Sequence, residues 1–262
     1  MKVVLFCGGR GMRIRDFSEK IPKPMVLVGN RPILWHVMKY YAHFGHTEFI
    51  LCLGYKADVI KNFFLTYNEA VSNDFTMSQG GRNIELASSD IDDWTISFVD
   101  TGMDANLGQR LLAVRDYLDG EDMFLANYSD GLTDLDLTSY VADFAGSDGI
   151  AKFLAVQPPL TYHLVDANEE GRVEGIAPIS TADLWINGGY FALRAEIFDH
   201  LNPGEELVIE PFQRLLKQGA LRASRFSGFW APMDTFKDKQ RLDDLVASGR
   251  GPWEVWKPEA GH

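Results

Sequence analysis

The chain has 262 residues with a formal net charge of −12, and 46% of its residues are hydrophobic. This length suffices for one large α/β domain or two small ones, and the apolar content supplies a full core. No apolar segment approaches the ~20 residues that a membrane-spanning helix needs. The acidic balance argues against a nucleic-acid partner, and the apolar start at Val3 is too short for a signal peptide, so a cytoplasmic location is expected.

The first predicted element is a buried strand, Val3–Phe6, which leads into a glycine-rich segment at residues 8–13. Glycines at positions 8, 9 and 11 leave room for a ligand to approach the backbone. The first 24 residues carry six basic side chains against two acidic ones. A concentrated positive segment in an acidic chain favours a bound polyanion, so this segment is predicted to hold phosphate groups.

Strand and helix patterns alternate through the rest of the chain. Strands are predicted at 48–53, 95–100, 123–127, 152–156, 185–193 and 221–227. Helices are predicted from Pro32 to Gly45, at 57–67, 108–118, 137–144 and 235–248, and on both sides of Pro203. The polar segment 68–94 is predicted to leave the sheet as a lid or an oligomer contact. This order predicts a mostly parallel sheet with helices on both faces and ligands at the carboxyl ends of its strands.

Two aspartates are candidate ligands for a magnesium ion. Asp130 follows the strand at 123–127, and Asp234 precedes the last helix. Magnesium takes one or two protein carboxylates together with phosphate oxygens, so a separated pair near a phosphate-binding segment is a suitable arrangement. The alternative is that Asp130 is a turn residue and Asp234 a helix N-cap.

Other metal-binding or redox chemistry has little support in the sequence. The six histidines have no zinc-binding spacing. The two cysteines, Cys7 and Cys52, lie within apolar segments, which predicts buried thiols rather than a disulfide.

Two further features follow in the second half of the chain. Gly188 and Gly189 interrupt a predicted strand, which indicates either close approach of a ligand or a bulge. Trp253 and Trp256 are predicted to pack against the domain or to anchor an interface.

The glycine-rich segment does not fit the common nucleotide motifs, because the dinucleotide pattern fails at Ile14 and the Walker pattern is absent. Together with residues 22–25, Pro-Lys-Pro-Met, it resembles the signature of the sugar-1-phosphate nucleotidyltransferases. The chain is also similar to glucose-1-phosphate cytidylyltransferases at residues 32–36, 54–56, 99–102, 186–191, 228–230, 232–235 and 252–256. The match runs nearly end to end.

This resemblance implies a single α/β domain of the nucleotide-diphospho-sugar transferase type, with a Rossmann-like, mostly parallel mixed sheet flanked by helices. Residues 1–150 would form the nucleotide-binding half and residues 151–262 the acceptor-binding and C-terminal half. The implied reaction joins CTP and a sugar 1-phosphate such as glucose 1-phosphate with magnesium, and it releases pyrophosphate. The polar segment 68–94 and the aromatic C-terminal residues make a homo-oligomer the expected assembly.

The resemblance also implies roles for individual positions. The triphosphate would contact Gly8, Gly9, Arg10, Gly11, Met12, Arg13 and Lys23, of which Arg13 and Lys23 would be catalytic. Cytosine and ribose would lie near Thr101, Gly102, Asp104, Gly108 and Arg110. The acceptor would contact Tyr128, Asn187 and Gly188, and Asp130 with Asp234 would hold Mg²⁺.

The chain departs from the family pattern around the acceptor. The family has a Glu-Lys-Pro lysine before the Asn-Gly-Gly motif, whereas residues 175–181 contain no lysine; Arg172 and Arg194 are candidate replacements. Met12 stands where the family usually has threonine, and residues 161–163 replace an Arg-Phe-Gly stretch, which makes His163 a candidate acceptor contact. Two alternatives therefore stay open: the same transfer onto another phosphorylated or phosphonylated acceptor, or a non-catalytic regulatory subunit that binds nucleotide.

Overall fold

The computed structural model describes residues 1–9, 21–159, 162–249 and 251–257. Its strands are, in chain order, β1 (Val3–Phe6), β2 (Leu27–Val28), β3 (Arg31–Pro32), β4 (Glu48–Leu53), β5 (Phe75–Ser78), β6 (Asn83–Leu86), β7 (Thr95–Asp100), β8 (Met123–Asn127), β9 (Gly131–Thr133), β10 (Ala151–Val156), β11 (His163–Ala167), β12 (Val173–Pro178), β13 (Ile186–Arg194), β14 (Leu221–Phe226) and β15 (Trp230–Pro232). Its α-helices are α1 (Ile33–His43), α2 (Ala57–Leu65), α3 (Leu107–Ala113), α4 (Leu137–Ala145), α5 (Glu210–Lys217) and α6 (Phe236–Ala247). Within these described ranges, none of the helices has the length and apolar character to cross a membrane.

Seven strands form the central sheet in the order β14-β10-β13-β8-β1-β4-β7. Strands β8, β1, β4 and β7 are parallel neighbours, and β14 is parallel to β10. Only β13 in this sheet is antiparallel, and it pairs with β10 and β8. The predicted mostly parallel sheet is confirmed. Six strands therefore share one direction, and their carboxyl ends meet at one edge.

The core lies on both faces of this sheet. In β1 the alternating side chains send Val3 and Leu5 to one hydrophobic cluster and Val4 and Phe6 to the other. Helices α1 and α4 cover the first face, and α3 and α5 cover the second. A strand buried on both faces needs a continuous apolar sequence, which explains why β1 was recognisable from its residues alone.

Several predicted elements end differently in the structure. The helix predicted at 108–118 is divided into α3 and a 3₁₀ turn, Arg115–Leu118, and the first helix predicted beside Pro203 is a 3₁₀ turn, Ala195–His200. The segment 68–94 leaves the central sheet, as predicted, and contains the β5–β6 hairpin. The β11–β12 hairpin and the β9–β15 pair were not predicted.

Pairing of β9 with β15 is the connection that matters for the site. Gly131 lies opposite Pro232, and the backbone N–H of Met233 donates to the carbonyl of Asp130 at 2.9 Å. This pairing brings the segment after β8 next to the segment before α6. Asp130 and Asp234 are therefore neighbours in space.

The C-terminal segment packs on α1, which confirms packing as the role of Trp253. Trp253 is fully buried, and its Nε1–H donates to Nδ1 of His36 at 3.2 Å. The other ring nitrogen of His36 then carries the proton and donates to the carbonyl of Val28 at 2.9 Å. The bond from Trp253 requires the neutral imidazole, because a protonated Nδ1 could not accept it.

We expect acid to weaken the fold through His36. Burial lowers the pKa of His36 from its ordinary value of 6.5 to about 4. The unfolded chain therefore binds the extra proton first, so the stabilisation is complete above pH 6.5 and is lost as the pH falls from 6.5 to 4. The loss in unfolding free energy should be on the order of 3 kcal/mol, measured by denaturant unfolding across this range.

The control is His36→Gln, which keeps an acceptor and a donor without titrating. Burial also lowers the pKa of His46 to about 4, so the variant should lose part of the pH dependence and retain the part due to His46. An unchanged slope in His36→Gln would contradict the assignment.

Candidate active site

A cavity of about 460 Å³ opens at the carboxyl edge of the sheet. It is lined by Phe6, Cys7, Gly9, Lys23, Pro24, Ala105, Asn106, Leu107, Arg110, Tyr128, Ser129, Asp130, Glu206 and Asp234. These residues follow β1, β7 and β8 or come from the segments before α5 and α6. The cavity therefore lies where a doubly covered α/β sheet binds its ligands.

Three charged side chains meet in this cavity. The Nζ atom of Lys23 donates to Oδ2 of Asp130 and to Oδ1 of Asp234, both at 2.5 Å. The alternative role of Asp234 as a helix N-cap is wrong, because Thr235 caps α6 in a capping box with Asp238. The structure brings together both predicted metal ligands and one predicted catalytic residue.

The two carboxylates stabilise the charge of Lys23. Burial disfavours the ammonium, but the opposite charges and hydrogen bonds of Asp130 and Asp234 outweigh it, so the pKa of Lys23 lies above its ordinary value. Lys23 is charged at neutral pH. One cation therefore spans both carboxylates.

A strained turn presents Asp130 to the cavity. Ser129 precedes it with φ of 65°, which is unusual for a residue that has a Cβ. Asn127 Oδ1 accepts from the N–H of Ser129 at 2.7 Å, and the Ser129 hydroxyl donates to the carbonyl of Phe6 at 2.9 Å. On the other side of Asp130, the Tyr190 hydroxyl donates to the carbonyl of Gly131 at 2.8 Å. The backbone on both sides of the carboxylate is thus fixed.

Arg110 is bonded to protein acceptors from three strand ends. Its buried guanidinium donates to the carbonyl of Gly8 at 3.1 Å, the carbonyl of Leu53 at 3.2 Å and Oγ1 of Thr101 at 2.7 Å. A Cβ on Gly8 would lie 1.9 Å from this guanidinium, so any side chain there would displace the arginine from these hydrogen bonds. Arg110 and Thr101 therefore fix the backbone around the cavity, and their predicted contact with cytosine and ribose stays a prediction.

Tyr128 lines the cavity, whereas its hydrogen-bond partner Asn187 lines a neighbouring cavity together with Trp185 and Ile186. Asn187 Nδ2 donates to the Tyr128 hydroxyl at 3.0 Å, and the carbonyl of Gly188 accepts from Trp230 Nε1 at 2.9 Å. Gly189 has φ of 77°, and a Cβ there would lie 2.5 Å from the Tyr128 ring. The paired glycines thus allow close approach of aromatic side chains; contact of Asn187 and Gly188 with an acceptor stays a prediction.

The structure places the candidate replacements for the missing lysine away from the lining of the cavity. His163 and Arg172 lie exposed on the β11–β12 hairpin, and their role stays a prediction. Arg194 is unsuitable, because it lies opposite Met123, the first residue of β8, at the other edge of the sheet. Its guanidinium there donates to the carbonyls of Gly149 and Ser147, each at 2.9 Å.

The remaining residues predicted to contact the nucleotide lie in different places. Arg10, Gly11, Met12 and Arg13 lie outside the described residues. Gly9 lines the cavity. Gly102 and Asp104 lie exposed in the segment after β7. A Cβ on Gly108 would lie 2.2 Å from the carbonyl of Glu205, so this glycine is required by close backbone packing.

Glu206 is a lining residue that the sequence did not reveal. Its Oε2 accepts from the N–H of Leu107 at 3.4 Å, whereas its buried Oε1 has no hydrogen-bond partner among the described residues. Burial raises the pKa of Glu206 above its ordinary value. Glu206 follows another glutamate in a Pro-Gly-Glu-Glu turn, which resembles no motif and gave no signal.

The carboxylates of Asp130 and Asp234 suit a divalent cation whose other ligands are substrate phosphates and water. The described part of the chain has no cluster of three or more potential metal ligands. It has instead two carboxylates that converge on one point and already hold one cation. Magnesium is commonly bound by one or two carboxylates together with substrate phosphates and water.

Comparison with known proteins agrees with this geometry. The sequence model of the family described as "Nucleotidyl transferase" matches residues 2–238. The chain belongs to the nucleotidyl transferase family. Members of this family generally use a divalent metal ion; that Asp130 and Asp234 hold it in this nucleotidyl transferase stays a prediction.

Two relatives that match over nearly the whole chain carry names with a particular activity. The chain is 37% identical over 260 residues to the glucose-1-phosphate cytidylyltransferase of Salmonella typhi, covering 98% of this chain and 100% of the relative. It is 33% identical over 258 residues to a probable glucose-1-phosphate cytidylyltransferase of Bacillus subtilis, again covering 98% and 100%.

Solved structures support the fold. UDP-glucose pyrophosphorylase complexed with UDP-glucose superposes with a TM-score of 0.68 at 15% identity, covering 95% of this chain and 99% of the other. HddC from Yersinia pseudotuberculosis complexed with GMP-PN gives 0.65 at 20% identity, covering 94% and 99%. The predicted nucleotide-diphospho-sugar transferase fold is confirmed.

We expect Ser129→Gly to be more stable than Ser129→Ala but to bind metal more weakly. Ser129→Ala and Ser129→Gly both lose the hydroxyl, but only alanine keeps the Cβ that is strained at positive φ. Ser129→Gly should therefore be more stable than Ser129→Ala by about 1 kcal/mol. Because glycine makes the turn more flexible, Asp130 should be held less firmly in Ser129→Gly. This variant should therefore bind Mn²⁺ more weakly than Ser129→Ala.

Urea unfolding and Mn²⁺ titration of the two variants check this. If Ser129→Ala proves as stable as Ser129→Gly, the turn stores no strain and the explanation fails.

Proposed function

We propose that this nucleotidyl transferase transfers the cytidylyl group of CTP to glucose 1-phosphate with Mg²⁺, giving CDP-glucose and pyrophosphate. The observation that carries the proposal is the convergence of Lys23, Asp130 and Asp234 in the cavity that Gly9 lines at the carboxyl edge of the sheet. The end-to-end similarity to proteins named glucose-1-phosphate cytidylyltransferase supports the choice of substrates.

The reaction is a direct displacement at phosphorus. A phosphate oxygen of glucose 1-phosphate attacks the α-phosphorus of CTP, the bond from that phosphorus to the bridging oxygen breaks, and pyrophosphate leaves with its electron pair. Two anions must approach each other, so the protein accelerates the step by aligning them and neutralising charge. The step needs no covalent nucleophile. Cys7 is unsuited to that role, because burial raises the pKa of its thiol to about 12.

The charged residues divide the work. When bound by Asp130 and Asp234, Mg²⁺ would supply positive charge to the nucleotide phosphates. Lys23 and Arg13 would contact the phosphates near the reacting centre, and the segment from Gly8 to Met12 would wrap the triphosphate. Arg110 would keep the surrounding loops in place.

The acceptor would occupy the side of the cavity formed by Tyr128. Asn187 and Gly188 are the proposed sugar contacts, and Thr101, Gly102, Asp104 and Gly108 form the proposed surroundings of the nucleoside. Transfer onto another acceptor and a non-catalytic regulatory role are less well supported, since the curated relatives that match over the whole chain carry a glucose-1-phosphate cytidylyltransferase name.

A single domain with two halves is the proposed organisation. Residues 1–150 contribute β8, β1, β4 and β7 to the central sheet, and residues 151–262 contribute β14, β10 and β13. Because β13 pairs directly with β8, the sheet is continuous between the halves. Burial of Trp253 against His36 supports the same conclusion.

We also propose a cytoplasmic homo-oligomer. The β5–β6 hairpin pairs Phe75 with Leu86 and Met77 with Ile84. Paired residues project to the same face, and all four side chains are at least 40% exposed. An apolar hairpin face of this kind suits contact with a second copy of the chain.

Substrate choice is tested by pyrophosphate release with a panel of nucleotides and acceptors. We expect CTP to be preferred over UTP, dTTP and GTP, and glucose 1-phosphate to be preferred over other sugar phosphates and phosphonates. Preference for another nucleotide, or turnover only with another acceptor, would contradict the corresponding part of the proposal.

The metal assignment is tested by Asp130→Asn and Asp234→Asn. Each variant should lose at least about a hundredfold in kcat/KM with an unchanged circular dichroism spectrum, because it removes a charged ligand of the cation. Asp244→Asn is the matched control, since the Asp244 side chain is exposed on α6 and, among the described residues, accepts a hydrogen bond from Gln240; it should keep full activity. Full activity of Asp130→Asn or Asp234→Asn would contradict the assignment of these residues as metal ligands.

A further inference from the structure

Lys23 occupies the point between the two proposed metal ligands. We propose that Lys23 and the divalent cation compete for Asp130 and Asp234, so that the cation displaces the ammonium and the displaced ammonium moves to the nucleotide phosphates. The inference rests on the proposed function, because it takes the carboxylate pair as the metal site. It adds a second role for Lys23, as the internal counterion of that site.

The distances show that Lys23 and a metal bound by the same two oxygens would exclude each other. Lys23 Nζ lies 2.5 Å from Oδ2 of Asp130 and 2.5 Å from Oδ1 of Asp234. A magnesium ion bound by the same oxygens requires contacts of about 2.0–2.1 Å. Two cations at such distances from shared oxygens would repel each other strongly in a half-buried site. Binding of the metal to these two oxygens therefore requires the ammonium to leave.

The local structure lets the ammonium leave without moving the backbone. Lys23 lies in a 3₁₀ turn between Pro22 and Pro24, with Pro24 and Met25 buried. The N–H of Met25 donates to the carbonyl of Pro22 at 2.8 Å, and the N–H of Val26 donates to the carbonyl of Lys23 at 3.1 Å. The backbone is fixed, whereas the four-carbon side chain can rotate. Lys23 lines the same cavity as Gly9, so phosphates bound beside Gly9 would lie in the same space.

Lys23 stabilises the pair of carboxylates before the substrate binds. Two carboxylates that face each other without a cation would repel, and one of them would take up a proton. Lys23 prevents this. The arrangement also lowers the affinity of the site for a metal alone, because the metal must first break two charged hydrogen bonds.

Nucleotide binding removes that penalty. Phosphates give the displaced ammonium a new partner, so metal and nucleotide should bind more tightly together than separately. The site would then acquire its metal mainly together with the nucleotide.

The first test is Mn²⁺ binding to the nucleotide-free protein, measured by electron paramagnetic resonance. Lys23→Met removes the competing charge and should bind Mn²⁺ at least about tenfold more tightly than the unaltered chain. Lys23→Arg keeps a cation that can bond both carboxylates and should bind Mn²⁺ no more tightly. Equal or weaker Mn²⁺ binding by Lys23→Met, or no binding by any of the three proteins, would overturn the proposal.

A second measurement separates exchange from a simple loss of positive charge. Adding CTP should tighten Mn²⁺ binding to the unaltered chain much more than to Lys23→Met, which has no ammonium to transfer. Formation of the Mn²⁺–CTP complex in solution is common to both proteins, so their difference isolates Lys23. The same tightening by CTP in both proteins would show that Lys23 stays in place and would overturn the exchange.

The outcome is distinguishable from failure of the proposed function. Mn²⁺ binding without nucleotide does not depend on whether CTP or glucose 1-phosphate is the substrate. If another nucleotide proves to be the substrate, that nucleotide replaces CTP in the second measurement. The rise in melting temperature with Mn²⁺, larger for Lys23→Met than for the unaltered chain, gives the same answer independently and shows that the variant is folded.

Discussion

The structure depends on a charge constraint at one edge of the central sheet. Asp130 and Asp234 are 107 and 211 residues from Lys23 along the chain, yet one ammonium contacts both. Two like charges at this point are tolerable only with a cation between them. The β9–β15 pair brings the carboxylates together, the Ser129 turn fixes one of them, and two prolines fix the backbone of the lysine.

The other residues that line the cavity surround this charged group and hold the strand ends around it. The carboxylates and Lys23 form a charged end suited to metal and phosphates, whereas Tyr128, Leu107 and Asn106 line other parts of the cavity. Arg110 contributes positive charge near the floor, but its hydrogen bonds go to protein acceptors. A buried guanidinium that is satisfied by the protein stiffens three strand ends, and this stiffness keeps the site in register for a reaction that relies on alignment.

Sequence patterns predicted the parts of the fold that are buried on both sides. The bounds of β1, β4 and β8 follow from apolar segments that end at glycine or polar residues. The β11–β12 hairpin was missed because its side chains in β11 are exposed and carry no burial pattern. The β9–β15 pair was missed because its strands have three residues each and come from distant parts of the chain. Asp130 and Asp234 were recognisable from their places after and before regular elements. Contact of Lys23 with both of them depends on tertiary pairing, which no local pattern contains.

In the proposed exchange, the Asp130–Asp234 pair is a cation site occupied in turn by Lys23 and by the metal that accompanies the nucleotide. The most direct measurement is a crystal structure with Mn²⁺ and a slowly reacting CTP analogue, with anomalous scattering used to locate the metal. We expect a manganese peak between the two carboxylates and Lys23 Nζ on the phosphates. A manganese peak elsewhere, with Lys23 still bonded to both aspartates, would contradict it.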